Sequence, residues 1–542
     1  MQNRNSSYLF CLAAALLGSA LAWGQDGAAP QAPRPDSVAQ MEVLTRGPVH
    51  EAFAATVSFD PTPGVVIPKM PPAAIEEVPP DQRPEGAHVI WIPGYWAWDD
   101  ERTDFLWVSG IWRAVPPSRQ WVPGYWGKSG DGAQWTSGYW ADTAASDVEY
   151  LTEPPATVEL GPNVPAPSVN HTWLPGIWLW QQNRYAWRPG YWAMGQSDWN
   201  WVPPHYVWTP RGYVFVNGYY DYSVVRRGTL FAPVYFNSNV YSQGGFSYSP
   251  NVVINPAVFA NHLFLRPSYG HYYYGDYYNA NYALSGYSPG FSYNSNNFGY
   301  DPFYAQQRWM HRDESNWDRH IQSEFQNRRE NQNARPPHTW AEQKTILANA
   351  ATSNIQHSVM AAPLADVVQS KTNALRYQPV DHAERQQFTQ HQQATQQLRE
   401  QRQKQELQKA DHISTQPKLP SESEPDKVKL PPPTIKTKPP EHIGPEHAPP
   451  VRHETPAPDP KIVPQRRNPE VKTNTTPLDP RLPAGGSTVE PRKPNPPGKL
   501  PENQPAKPPV TRPEKPPIAK PEKTQVNPPG KTPSEINKNP KP

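Results

Sequence analysis

The chain has 542 residues, 72 of them proline, with 36% hydrophobic residues and a formal net charge of +2. That charge hides a split: residues 411–542 carry 22 Lys and Arg against 15 Asp and Glu, and the remainder carries 29 against 34. The same 411–542 stretch holds half of the prolines and no Phe, Tyr or Trp. It cannot bury enough apolar surface to offset the entropy of ordering it, and is expected to be a disordered, mildly basic polyproline spacer.

In chain order, residues 1–24 read as a secretory signal. Arg4 supplies the positive start and Tyr8 to Leu21 the short apolar run, with small residues placing cleavage before Trp23 or Gln25. Leu9 and Phe10 precede Cys11, which is not the small-residue setting of a lipidated cysteine. Removing the signal takes the only cysteine with it. Disulfides, thiol nucleophiles and zinc–thiolate sites are thereby excluded from the mature chain. No later apolar run is long enough to span a bilayer. The expected location is the periplasm, cell surface or exterior.

Residues 25–85 are Pro- and Ala-rich, with one candidate ordered stretch around Val49–Val57. Residues 86–140 and 171–236 then carry an internal repeat, the feature to find first in any chain. Its copies are WIPGYW (91–96), WVSGIW (107–112), WVPGYW (121–126), WTSGYW (135–140), WLPGIW (173–178) and WRPGYW (187–192), with a decayed WVPPHYVW at 201–208. Seventeen of the 21 tryptophans lie between Trp91 and Trp208. Residues 141–170 separate the two blocks as a linker or long loop.

Pro-Gly or Ser-Gly inside each hexad is turn chemistry, with Gly supplying positive φ. A turn at Pro93-Gly94 would set Trp91 opposite Trp96. Turns near Glu101-Arg102, Gly130-Asp131 and Gln182-Asn183 pair Trp96 with Trp107, Trp98 with Phe105, Trp126 with Trp135, Trp178 with Trp187 and Trp180 with Tyr185. Directly opposed residues share a face. The expected fold is mainly β, an antiparallel meander of short Trp-rich hairpins in a sheet or sandwich, with a few C-terminal helices. Asn217-Gly218 reads as a further hairpin turn. L-Pro-Gly favours turn types that splay hairpin strands, so some of these turns are expected as four-residue loops with a looser ladder.

Chained together, these pairings put the eight hexad tryptophans of the first block, Trp91 to Trp140, in one row across a single face. A buried Trp removes about 150–250 Å² from water, worth at most roughly 4–6 kcal/mol at ~25 cal/mol per Å². The leading reading makes the row a structural core. The alternative makes Trp91, Trp96, Trp107, Trp112, Trp121, Trp126, Trp135, Trp140, Trp173, Trp178, Trp187 and Trp192 a platform that stacks on sugar rings of a cell-wall or extracellular polysaccharide. Nucleobase stacking fits an exported chain with an acidic ordered part poorly, and no nucleic-acid partner is expected.

These hexads and their flanks resemble the bacterial WXXGXW (YXWGXW) repeat proteins. The resemblance extends to RGPVHEAFA (46–54), PPDQRPEG (79–86), WIPGYWAWDDERTDFLWVSGIWR (91–113) and RGYVFVNGYYDYSVVRRGTLFAPVYF (211–236). It implies an envelope or extracellular location and brings no catalytic residues with it.

Residues 237–304 are Tyr-, Asn- and Gly-rich low complexity, read as a partly ordered loop region. Within a polar helical region at 305–410, helices are expected over 302–331 and 381–412, the second as a solvated, Gln-rich helix with only a weak apolar stripe. HRDESNWDRH (311–320) mimics a kinase catalytic loop, but Asp318 stands where a metal-binding Asn belongs and no Gly-rich phosphate loop precedes it. His311 and His320 lack helical metal-ligand spacing. Asp99 and Asp100 are ordinary turn residues. No nucleophile elbow, P-loop or dinucleotide fingerprint occurs. The expectation is a non-catalytic protein with no cofactor and no metal, the third and weakest reading being a hydrolase with an unrecognised site.

Overall fold

A computed structural model describes residues 41–86, 88–349, 359–413 and 426–429. The expected signal sequence and cleavage site, and nearly all of the proline-rich tail, lie outside the described residues.

The protein is strand-rich, with short antiparallel pairs predominating and its longer helices toward the C-terminal side. Its frame is four long hairpins, over residues 89–114, 119–142, 171–194 and 199–222. Each is built of four strands in nested pairs. In the first, Tyr95–Asp99 pairs with Asp104–Val108 near the tip, and Val89–Ile92 pairs with Ile111–Ala114 at the base. Register runs unbroken through the middle: Ile92 faces Ile111 on one side of the interruption and Tyr95 faces Val108 on the other. The other three hairpins repeat this plan.

The tips fall where turn chemistry places them. Gln182 and Asn183 have φ of 50° and 59°, and Gly130 has φ of 57°, as tight hairpin turns require. All the expected cross-tip pairs form: Trp96–Trp107, Trp98–Phe105, Trp126–Trp135, Trp178–Trp187 and Trp180–Tyr185.

The hexads themselves are not turns. Trp91 faces Trp112 rather than Trp96, so Pro93-Gly94 is a mid-strand break inside a longer hairpin. No hexad glycine has positive φ. The splayed twist of L-Pro-Gly is accommodated by breaking the ladder, not by reversing the chain. Asn217-Gly218 is corrected likewise: the fourth hairpin turns at Pro210-Arg211, and Asn217-Gly218 lies mid-strand. The single Trp row is also corrected. Within the first hairpin the Trp91/Trp112 pair packs with Phe231, Leu364 and Phe388, whereas Trp96/Trp107 packs with Val234 and Phe236 in a separate cluster.

Short strands complete the sheets. Gly228–Leu230 and Val234–Phe236 edge the first hairpin, Val66–Ile67 edges the second, and Asp147–Leu151 edges the fourth. Asp426–Lys429, inside the stretch expected to be disordered, pairs with Asp147–Leu151. The Tyr-rich region forms short strands and helices with Tyr272, Tyr274 and Tyr293 fully buried.

Buried charge ties the frame together. The Arg113 guanidinium, fully buried on the first hairpin, donates twice to Asp221 of the fourth at 2.6 Å. Arg227 approaches the same carboxylate at 3.3 Å and donates to Phe53 O, and burial lowers its pKa to about 10.

Helices form at Pro302–Met310, Trp317–Glu330 and His382–Ile413. The last is not merely solvated. Phe388, Thr395, Arg402 and Glu406 are buried, a helical stripe written mostly in polar residues. Arg402 donates to Pro123 O and Ser137 O, both at 2.9 Å, at the break of the second hairpin. Glu406 accepts from Tyr125 and Tyr150. The stripe eludes a hydrophobicity scan because its partners are backbone carbonyls and phenols.

Candidate functional site

Each hexad glycine lies beneath an indole of the facing hexad. A Cβ on Gly110 would stand 2.5 Å from Trp91, on Gly138 2.5 Å from Trp121, on Gly124 2.5 Å from Trp135, and on Gly190 2.4 Å from Trp173. Glycine is there because the ring occupies the space a side chain needs, with no demand on φ. The fourth hairpin keeps this contact at Gly218 against Trp201. It exposes an eighth, decayed hexad, FVNGYY at 215–220, which faces 201–206 in register.

Breaking the ladder frees glycine N–H groups in the hairpin interior, and a buried donor requires an acceptor. In three hairpins that acceptor is a buried glutamate from elsewhere in the chain. Glu77 accepts from Gly94 N at 2.7 Å, Gly110 N at 2.9 Å and the Trp107 indole at 3.0 Å. Glu51 accepts from the Trp135 indole at 2.8 Å and Gly138 N at 2.9 Å. Glu159 accepts from the Trp173 indole at 3.0 Å and from Gly176 N. All three are at most 4% exposed. Burial pushes the Glu77 carboxyl up to about 7 against the opposing pull of its N–H partners. The fourth hairpin has Pro204 in place of one glycine, so that position has no N–H to satisfy.

Two of these glutamates arrive on matching straps. Pro71 to Pro79 reads PPAAIEEVP and Pro154 to Pro162 reads PPATVELGP. Ala73 O accepts from the Trp96 indole at 2.9 Å, and Ala156 O from the equivalent Trp178 indole at 3.0 Å. The strap is thus a second internal repeat, standing 20 residues ahead of Trp91 and 19 ahead of Trp173. Both the Pro/Ala-rich 25–85 segment and the 141–170 stretch hold one. The paired sequences carried that signal, masked by their loop-like composition.

The two blocks differ in exposure. Trp91, Trp96, Trp107, Trp112, Trp135 and Trp140 are buried, and Trp121 and Trp126 half-buried. Trp173, Trp178, Trp187 and Trp192, on the third hairpin, are all half-buried. Beside that hairpin lies a cavity of about 430 Å³ lined by Glu159, Trp173, Trp192, Tyr300, Arg308 and Trp309, among others. Arg312 lies over the Trp309 ring at 4.4 Å, and the Trp309 indole donates to Asn170 O. Arg308 pairs with Asp318 at 2.8 Å. The wall therefore offers aromatic faces with positively charged groups beside them.

His311, singled out in the kinase-like run, pairs with Glu314 at 2.8 Å on the surface, and Asp318 pairs with Arg308. Asp99 and Asp100 flank the first hairpin's tip, Asp100 holding Arg266 and Tyr269. Among the described residues no cluster of three or more His, Cys, Asp or Glu has metal-site geometry, and no helix is long and apolar enough to cross a membrane.

No curated protein and no solved structure matches the chain. The WXXGXW repeat family matches residues 89–113, 169–193, 185–205 and 211–223, which are parts of the first, third and fourth hairpins just described. With paired hexads braced by glycine, indole and carboxylate, the chain carries the repeats of the WXXGXW family, in copies spread over residues 89–223.

Proposed function

We propose that this is a non-catalytic, exported structural or scaffold protein of the cell envelope, with the Trp hairpins as its rigid frame. The supporting observation is that the hexads are occupied by their own chain. Eight of the twelve hexad indoles donate to internal acceptors: those of Trp96, Trp107, Trp126, Trp135, Trp140, Trp173, Trp178 and Trp192. Most rings of the first block are buried against other apolar side chains. A surface built to stack on an external ligand would leave its rings and donors open.

A second reading, polysaccharide stacking, is favoured at the third hairpin alone, where half-buried rings border the cavity. Acrylamide quenching with and without cell-wall or exopolysaccharide preparations separates the two. The scaffold reading expects weak quenching of most of the fluorescence and no response to polysaccharide. Strong quenching that polysaccharide suppresses would replace it with the binding reading. Export is tested by N-terminal sequencing of protein from the extracytoplasmic fraction. A start at Trp23 or Gln25 supports it, and a full-length chain confined to the cytoplasm removes it.

A further inference from the structure

We propose that the third hairpin is an exchangeable docking site for extended Pro-Pro-x-x-x-Glu segments, and that the tail segment 449–454 (PPVRHE) competes for it with the strap at 154–159.

The chemistry of recognition is already on view twice. In both straps a carbonyl two residues beyond the first proline takes the closing indole of the hexad, and a carboxylate takes the glycine N–H exposed by the strand break. Aromatic grooves suit such segments because a proline pair is pre-set in an extended form and loses little entropy on docking. The site therefore reads one carbonyl and one carboxylate, three residues apart in the second strap and four in the first.

The two straps are held very differently. The first is embedded: Ile75 and Glu77 are buried, and Glu76-Glu77 pairs with Ser247-Tyr248. On the second only Glu159 is buried; Val158 is 52% and Leu160 93% exposed. It makes the polar contacts without the apolar burial that would lock it down, and the cavity lies directly alongside Glu159 to Val169. A segment held this way opens at a free-energy cost far below that of global unfolding.

The same spacing recurs in the tail. Pro449-Pro450-Val451-Arg452-His453-Glu454 matches the second strap's proline-to-glutamate interval, and 508–514 and 516–522 place Glu514 and Glu522 at the interval used by Glu77. The first of these is the best placed. Lys429 is seated opposite Asp147, on the strand whose end at Leu151 leads into the second strap. Pro449 then lies twenty positions beyond Lys429. A chain of that length has a root-mean-square reach of about 25 Å and a limit of about 66 Å. Tethering makes this an intramolecular competition at high effective concentration.

Hydrogen exchange on the full chain tests the exchange directly. Glu159→Gln weakens the resident strap, and amides 451–455 should then gain about tenfold protection as the tail takes its place. Adding Glu454→Gln should abolish the gain. A strap with a purely structural role gives loss of protection at 156–161 with no gain at 451–455, which overturns the proposal. Should Glu159→Gln unfold the hairpin, the wild-type chain is titrated with a synthetic peptide of residues 447–456. Faster exchange at 156–161, absent with the Glu→Gln version of the peptide, supports the proposal. An unchanged rate at millimolar peptide refutes it.

Discussion

Replacing Gly110 by alanine separates a packing role for the hexad glycine from a conformational one. The new Cβ would lie 2.5 Å from Trp91 Cζ2, 2.6 Å from Glu77 Oε2 and 2.8 Å from Ile92 O. Ordinary contact needs about a further ångström, and little there can yield. Trp91 is fully buried and meets Trp112 edge-on at 5.1 Å, while Glu77 is fixed by three donors. Overpacking by one methyl costs about 1–3 kcal/mol. Displacing Glu77 from the buried Gly110 N–H adds about 1–3 kcal/mol. The expected loss is therefore about 2–6 kcal/mol, a large share of the ~5–15 kcal/mol that holds a typical domain together. Gly130→Ala is the control: nothing lies within 4 Å of its Cβ, and only its φ of 57° opposes the change, so about 1 kcal/mol is expected. Urea unfolding followed by Trp fluorescence gives both numbers. Asparagine sharpens the test, since it tolerates positive φ but is larger than alanine. Packing predicts that Gly110→Asn is worse than Gly110→Ala. If Asn proves milder, or Ala costs less than about 0.5 kcal/mol, the packing argument is wrong.

Other consequences follow from the same contacts. Arg402→Ala leaves Glu406 and the carbonyls of Pro123 and Ser137 buried without their cation, and should lower stability by about 3–5 kcal/mol in chemical denaturation. Arg402→Met paired with Glu406→Leu should recover much of that loss, and no recovery would show that the ion pair is not the source. Burial lowers the His205 pKa to about 4, so its folded form stays neutral while an unfolded chain takes up a proton below about 6.5. Stability from this group is therefore full above pH ~6.5 and falls with acidification toward pH 4, by up to about 3 kcal/mol. His205→Gln should flatten that part of the pH profile, and an unchanged slope would contradict the assignment. Glu77 acts in the opposite sense: with its folded pKa raised to about 7, its contribution to stability declines as pH rises from about 4.5 to 7. Glu77→Gln should remove that decline while disturbing the Gly94 and Gly110 contacts, both measurable in one pH series of denaturation curves.

Hairpin tips and their cross-strand Trp pairs were legible in the sequence because a two- or four-residue turn fixes register locally. The role of the hexad was not. Pro-Gly and Ser-Gly signal a turn when read alone, and only the facing strand reveals that Trp91 needs the space above Gly110. The sugar-platform reading named twelve tryptophans alike, yet six of the eight in the first block are buried and all four of the third hairpin are half-buried, since the first block is enclosed by strands 228–236 and the long helix whereas the third hairpin pairs only with itself. The straps escaped notice because Pro- and Ala-rich sequence suggests loop, although PPAAIEEVP and PPATVELGP could have been matched to each other. The docking face of the 382–413 helix escaped for a different reason. Beyond Phe388 its buried stripe consists of Thr, Arg and Glu, and no hydrophobic period marks it.

The central claim is that hexad indoles brace the frame from within, and hydrogen exchange of the indole Nε1–H groups, resolved by NMR on the full chain, tests it most directly. The account predicts slow exchange for Trp96, Trp107, Trp135 and Trp140, with faster exchange confined to the third hairpin. Uniformly fast exchange across both blocks, or first-block indoles that become protected only when polysaccharide is added, would contradict it.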